Sequence, residues 1–135
     1  MNLNINKINT NIFPNYYKKL WIATKTDSVF DDYGNEIPKY NKPFLLGTFN
    51  YQPMTQEEIR DFKQVYGETK NKLVRLYLDN SYLGKIKDFD VAYLYGNTPS
   101  NEVENGYNAN YEVRLVAEQN TKIWVVFEEI IKEEN

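Results

Sequence analysis

Cysteine and histidine are both absent from this chain of 135 residues. Disulfides, thiolate nucleophiles, imidazole bases and the usual zinc ligand sets are excluded together. Much of enzymology goes with them; no positioned nucleophile and base is identified, the sequence assigns no catalytic residue and no metal ligand, and the expectation is a protein that is not an enzyme. The lack of cysteine leaves the compartment open, because a domain of this length folds without disulfides in either redox environment. Long apolar runs are missing too. None approaches the roughly 20 residues that span a bilayer, and the Asn-rich start MNLNINKINTN lacks the apolar core of a secretory signal. A soluble protein made without an export signal, with no membrane partner, is the expectation. Charge of one sign is also scarce: the net value is −3 and the pI is near 5.1, which leaves no strong electrostatic footprint for nucleic acid. Neither G-x-G-x-x-G nor G-x-x-x-x-G-K-[ST] occurs, so no phosphate cradle and no cofactor are expected.

What is present is tyrosine, at 12 residues, which lifts the aromatic share to 16%. Tyrosine suits half-buried strands and wet interfaces, since its ring packs while its hydroxyl reaches water or a partner. The length points to one domain with a proper core, over 16–131, between a flexible N-terminal arm at 1–15 and an acidic tail at 132–135. KLWIATK (19–25) and FLLGTFNY (44–51) read as an antiparallel pair of strands. Between them, TKTDSVFDDYGNEIPKY (24–40) reads as a hairpin end in which Gly34-Asn35 make the bend, while Pro38 and Pro43 oppose central strand pairing in the return limb. A helix over about 55–66 follows, with Thr55 and Glu58 spaced as a capping box, Gly67 as its stop, and Ile59, Phe62 and Tyr66 on one stripe. Further strands are expected at 73–78, 82–86, 89–95, 110–118 and 122–131. The last two form a hairpin through Gln119-Asn120-Thr121, with Tyr111, Val113, Leu115 and Ala117 facing inward and Ile123, Val125 and Phe127 continuing that face. The polar stretch 96–109 is a candidate mobile loop carrying Asn101, Glu102, Glu104 and Tyr107. The fold class is therefore all-β, a small six- or seven-stranded barrel or sandwich with one short amphipathic helix and long loops.

Three constellations invite a chemical reading. Asp27, Asp31, Asp32, Asn35 and Glu36 offer oxygens to a hard cation, but adjacent Asp31 and Asp32 do not follow the EF-hand spacing, and a solvated hairpin end is the simpler reading. Glu102 and Glu104 are the obvious loop carboxylates for a glycosidase pair, yet nothing in the sequence places two acids across a sugar. Trp21 and Trp124 lie inside expected strands, where aromatic residues usually serve packing; exposed, they would instead form a stacking platform for a carbohydrate-binding β-sandwich. The most basic segment, Lys63, Lys70, Lys72 and Arg75, and a second one, Lys18, Lys19 and Lys25, read first as solvated faces.

The order of features resembles the head-closure proteins of long-tailed bacteriophages, the small stopper or head-tail joining family that sits between connector and tail. The pieces that carry the likeness are DDYGNEIPKY (31–40), FNYQP (49–53) with the excursion after it, DFDVAYLYG (88–96), similar to that family's Asp-hydrophobic-x-Tyr-x-Gly hairpin, and the closing pair 110–131. The likeness spans roughly 16–131. The chain departs from the family in its Asn-rich arm, its longer 96–109 loop and its capped helix where members often have an irregular loop, which leaves a sister role open, such as tail completion or another neck ring. The resemblance implies a β-barrel subunit of a homo-oligomeric ring in the virion neck, assembled in the host cytoplasm. Such a ring contacts portal or connector on one side and tail proteins on the other, and is able to close a channel through which DNA passes without sequence-specific binding. It implies no catalytic residues. By position, Asp31, Asp32, Tyr33, Gly34, Asn35 and Glu36 form a candidate docking loop, and the excursion bearing Arg60, Lys63, Lys70 and Lys72 meets a neighbouring ring or lines the channel.

Overall fold

The computed structural model describes residues 17–99 and 108–131. The expected arm at 1–15, the acidic tail at 132–135 and the loop positions Asn101, Glu102, Glu104 and Tyr107 lie outside the described residues. Within them the chain forms β1 (Lys18–Ala23), β2 (Val29–Phe30), β3 (Glu36–Ile37), β4 (Phe44–Phe49), β5 (Gln52–Pro53), helix α1 (Gln56–Tyr66), β6 (Leu73–Asp79), a 3-10 turn (Asn80–Tyr82), β7 (Val91–Tyr93), β8 (Tyr111–Gln119) and β9 (Lys122–Glu129). Seven strands make one antiparallel sheet in the order β4-β1-β7-β8-β9-β6-β5, while β2 and β3 pair apart from it.

The two edge strands of that sheet, β4 and β5, are separated in the chain only by Asn50 and Tyr51. Three residue steps reach about 10 Å at most, whereas a flat sheet of seven strands would hold its edges roughly 29 Å apart. The sheet must therefore curl until the end of β4 comes near the start of β5, and it forms a half-barrel of the all-β kind. Its concave side holds the main core: Leu20 and Ile22 from β1, Ala92 and Leu94 from β7 and just beyond, Tyr111 and Val113 from β8, Ile123, Val125 and Phe127 from β9, and Leu76 and Leu78 from β6. Tyr51 plugs the junction and is 1% exposed. The convex side is covered in two places. Ala23, Val91, Tyr93 and Ala109 make one outer cluster, and Met54, Phe62, Leu73 and Val126 make another under α1.

The 19–25 and 44–51 pairing is present as β1 and β4, and the closing hairpin as β8 and β9, turned by Asn120 with φ 52°. The inward face of β8 differs from simple alternation. A bulge between Val113 and Leu115 moves Val116 onto the main core beside Val125, while Leu115 turns to the outer cluster beside Val126. One extra residue reverses every later side chain of a strand, which is why alternation held only as far as Val113. Residues 82–86 are not a strand: the 3-10 turn ends there and only a Leu83–Ile86 bridge remains. The expected strand 89–95 shrinks to three residues, because Phe89 (φ 74°) and Tyr95 (φ 57°) flank it in the left-handed region and break the extended run. The helix carries both hydrogen bonds of its capping box and ends at Gly67, φ 92°, whose N–H reaches the Lys63 carbonyl. Of its expected stripe Phe62 is buried, Ile59 half-buried, and Tyr66 exposed, stacked on Phe62 at 4.7 Å.

Candidate functional site

Strand polarity gives the half-barrel two ends. At one, β1 finishes at Ala23 beside Val91, β4 begins, and β6 runs out to Asp79 opposite Lys122. The segment 24–43 leaves from this end, and β2 and β3 form its tip, with Val29 opposite Ile37 and Phe30 opposite Glu36. The bend differs in detail from a Gly34-Asn35 turn. It runs from Asp31 to Gly34, whose N–H reaches the Asp31 carbonyl at 3.1 Å, and only Gly34 has positive φ, at 81°. The Asp31 carboxylate accepts the backbone N–H groups of Tyr33 (2.8 Å) and Asn35 (2.9 Å). These bonds, the Asn35 amide first, hold its carboxyl below the usual carboxylate range. Glu36 is held low in the same way, first by the Ser28 hydroxyl and then by the Lys25 ammonium at 3.4 Å. Asp31 and Glu36 thus build the loop, while Asp32 and Tyr33 face solvent, Tyr33 at 89% exposure. Among the described residues no group of three or more acidic side chains converges as a metal-binding set.

At the other end β1 begins, β6 begins at Leu73, β9 runs out to Glu129 and the chain crosses from β4 to β5. The excursion α1 to Lys72 sits here, and it splits the basic residues. Arg60 and Lys63 share a shallow hollow of about 340 Å³ with Gln56, Gln64 and Glu68, and Lys63 pairs with Glu68 at 3.6 Å. Lys70 is exposed on the connecting loop. Lys72 lines a different groove of about 620 Å³, whose walls are Pro53, Met54, Ile59, Leu73, Val74 and Tyr95, with Asn110, Tyr111 and Glu129 completing it. Arg75 is withdrawn from the basic set altogether: its guanidinium reaches Glu58 at 3.0 Å and ties α1 to the sheet. The second basic group is divided between the two ends, since Lys25 serves the hairpin while Lys18 lies over the rings of Tyr51 and Tyr95 at 5.3 and 5.2 Å.

Several residues have specialised surroundings that no local pattern announces, although the stretches 49–53 and 88–96 hold Tyr51, Asp90 and Tyr95 and alternation places Tyr111 inward. Tyr51, Tyr95 and Tyr111 converge from three elements, and the Tyr51 hydroxyl accepts the Tyr95 N–H at 2.7 Å. Burial first, then the neighbouring Tyr95, Glu129 and Tyr51, pushes the Tyr111 phenol up to about 12. Asp90 is buried, and its two oxygens accept the N–H groups of Lys25 and Lys87, each at 2.9 Å. Glu112 and Glu128 sit opposite each other across β8 and β9, and Arg114 reaches both, at 3.8 and 3.3 Å; its one positive charge offsets only part of the pair, and burial first, with Glu128 adding to it, still raises the Glu112 carboxyl. The tryptophans are half-buried on the convex side, Trp21 on one outer cluster and Trp124 on the other, and both indole N–H groups are buried without a hydrogen-bond partner among the described residues. No protein-family model matches the chain, and neither does any curated protein or solved structure.

Proposed function

We propose that this chain is a structural, non-catalytic virion protein of a bacteriophage neck. Its copies form a ring between portal or connector and tail, joining head to tail and able to close the DNA channel. The observation that carries the reading is the pairing of two built surfaces at opposite ends of a small half-barrel: a hydrogen-bonded hairpin tip at one and the charged α1 excursion at the other. A subunit held between two neighbours needs a contact at each end. The words that resemble head-closure proteins fall on the parts that define this shape: 31–40 is the tip, 49–53 is the crossing from β4 to β5, and 88–96 contains β7. Net charge of −3 suits a conduit, because a surface with little attraction for phosphate lets DNA slide. The sugar-binding alternative draws nothing from Trp21 and Trp124, whose rings are committed to the outer clusters.

The test is reconstitution. Mixed with connector and tail proteins of a tailed phage, the chain is expected to enter a ring visible by negative-stain electron microscopy. Asp31→Ala with Asp32→Ala should leave the circular dichroism spectrum intact and impair joining. Joining that proceeds unchanged would return the tip to plain solvent, and a strict monomer that binds oligosaccharide would remove the neck reading.

A further inference from the structure

The hairpin tip presents more apolar surface than a solvated loop needs. Phe30 is 69% exposed, Tyr33 89% and Val29 47%, on a two-stranded unit that lies outside the main sheet. A lone hairpin is marginal in water, yet this one is braced at both ends. The Asp31 carboxylate fixes the bend through Tyr33 and Asn35, and Glu36 ties the base to Ser28 and Lys25. Two aromatic rings are thus held out in a formed conformation, so little ordering entropy remains to be lost on contact. Each such ring buries about 150–250 Å² when it docks.

The groove beside Lys72 is the complementary feature. Its volume of about 620 Å³ lies within the range that proteins use to enclose a compact ligand or an anchoring side chain. Met54, Ile59, Leu73 and Val74 give it an apolar floor, and Lys72 and Glu129 stand beside it. The groove's own charges, Lys72 and Glu129, balance, so the charge complementarity is that of a single pair. Among the described residues neither Asp32 at the tip nor Lys72 at the groove has an ion-pair partner within the chain. The tip does not occupy its own groove: no hairpin residue lines it, and the two lie at opposite ends of the strands.

We propose that the β2–β3 tip of one copy docks into the groove between α1 and the start of β6 on a second copy, with Phe30 and Tyr33 as anchors and Asp32 set against Lys72. The inference rests on the ring reading above and assigns that ring its subunit contact. Because the two surfaces differ, the contact is heterologous. It propagates from copy to copy and closes into a ring when the rotation per step allows.

The full chain and a set of its variants test it by sedimentation velocity. The tip variant is Phe30→Ser with Tyr33→Ser, both at exposed positions. The groove variant is Lys72→Glu with Ile59→Gln, and Lys72→Glu alone serves as a control that touches no packed side chain. The unaltered chain should self-associate, and each double variant alone should do so at least about 30-fold more weakly, as expected for loss of the aromatic anchors in one and of the pocket that receives them in the other. Mixed, the two variants should form a 1:1 complex and nothing larger, since one intact tip and one intact groove remain. Asp32→Lys with Lys72→Glu should recover association lost in either single change. A wild-type chain that stays monomeric overturns the proposal, as do variants that assemble like wild type or a mixture without a heterodimer. If the tip variant loses only its binding to a connector protein, the occupant is that protein and not a second copy. If both variants still enter a neck ring, this contact fails while the ring reading stands; self-association through tip and groove without any binding to connector or tail is the converse.

Discussion

Asp90 is 1% exposed, and both its oxygens are committed to backbone N–H groups from distant positions, Lys25 and Lys87. Burial raises its carboxyl pKa, and the two donors, Lys25 first, act against that rise. Its own backbone carbonyl also accepts the Val113 N–H. One residue therefore joins three segments, its side chain holding the stretch after β1 and the 80–90 segment and its carbonyl holding β8. An asparagine in its place keeps one acceptor but turns an NH2 toward a second N–H, leaving a buried donor unmatched. Asp90→Asn is expected to destabilise the fold by about 1–3 kcal/mol in chemical denaturation. A loss within a few tenths of a kcal/mol would mean that water replaces one of the two bonds.

Element by element, the closest fit is at β4. A register shift against β1 leaves Leu46 unmatched between Leu45 and Gly47. The ring of Phe49 then folds over Gly47, where an added Cβ would meet its edge at 2.8 Å. That ring is not free to swing away, because it packs edge-on against Tyr82 at 5.5 Å and against the main core. Gly47→Ala is accordingly expected to cost about 1–3 kcal/mol, as small-to-large changes in packed sites do, with the loss read as a lower denaturation midpoint and a weakened Phe49–Tyr82 contact by NMR. An unchanged midpoint would show that β4, as an edge strand, shifts to make room.

Across the whole molecule the tyrosines link stability to alkaline pH. Tyr111 ionises near 12 in the folded chain because of burial first and of Tyr95, Glu129 and Tyr51 after it, against about 10 for an unfolded tyrosine. Burial raises Tyr51, Tyr93 and Tyr95 as well. In that window the folded state keeps protons that the unfolded state has released. The stabilisation is complete below pH 10 and declines as pH rises toward 12. Denaturation midpoints followed by tryptophan fluorescence should fall through this window, and Tyr111→Phe should shallow the decline. A slope equal to that of the unaltered chain would place the ionisation elsewhere.

Short-range features were legible without the structure. The capping box Thr55–Glu58, the stop at Gly67, the hairpin turned by Asn120 and the β1–β4 pairing each depend on residues near one another or on a plain alternation of side chains. The stretch 31–36 is an exposed hairpin tip, as its residues suggest, since Gly34 and its acidic neighbours mark a turn wherever they stand. What only tertiary structure decided are the events that require distant partners. The β8 bulge reassigned Leu115 and Val116, Phe89 and Tyr95 cut the expected 89–95 strand to three residues, and the two-residue step at Asn50 and Tyr51 curled the sheet. The set of basic residues was divided for the same reason. Arg75 and Lys72 are three positions apart in sequence, but Arg75 pairs with Glu58 on α1 whereas Lys72 lines the groove, and only the packing of α1 on β6 separates the two. Local pattern determines which way a segment can bend. Which face it buries, and which of its charges remain free for a partner, follows from contacts that the curled sheet creates.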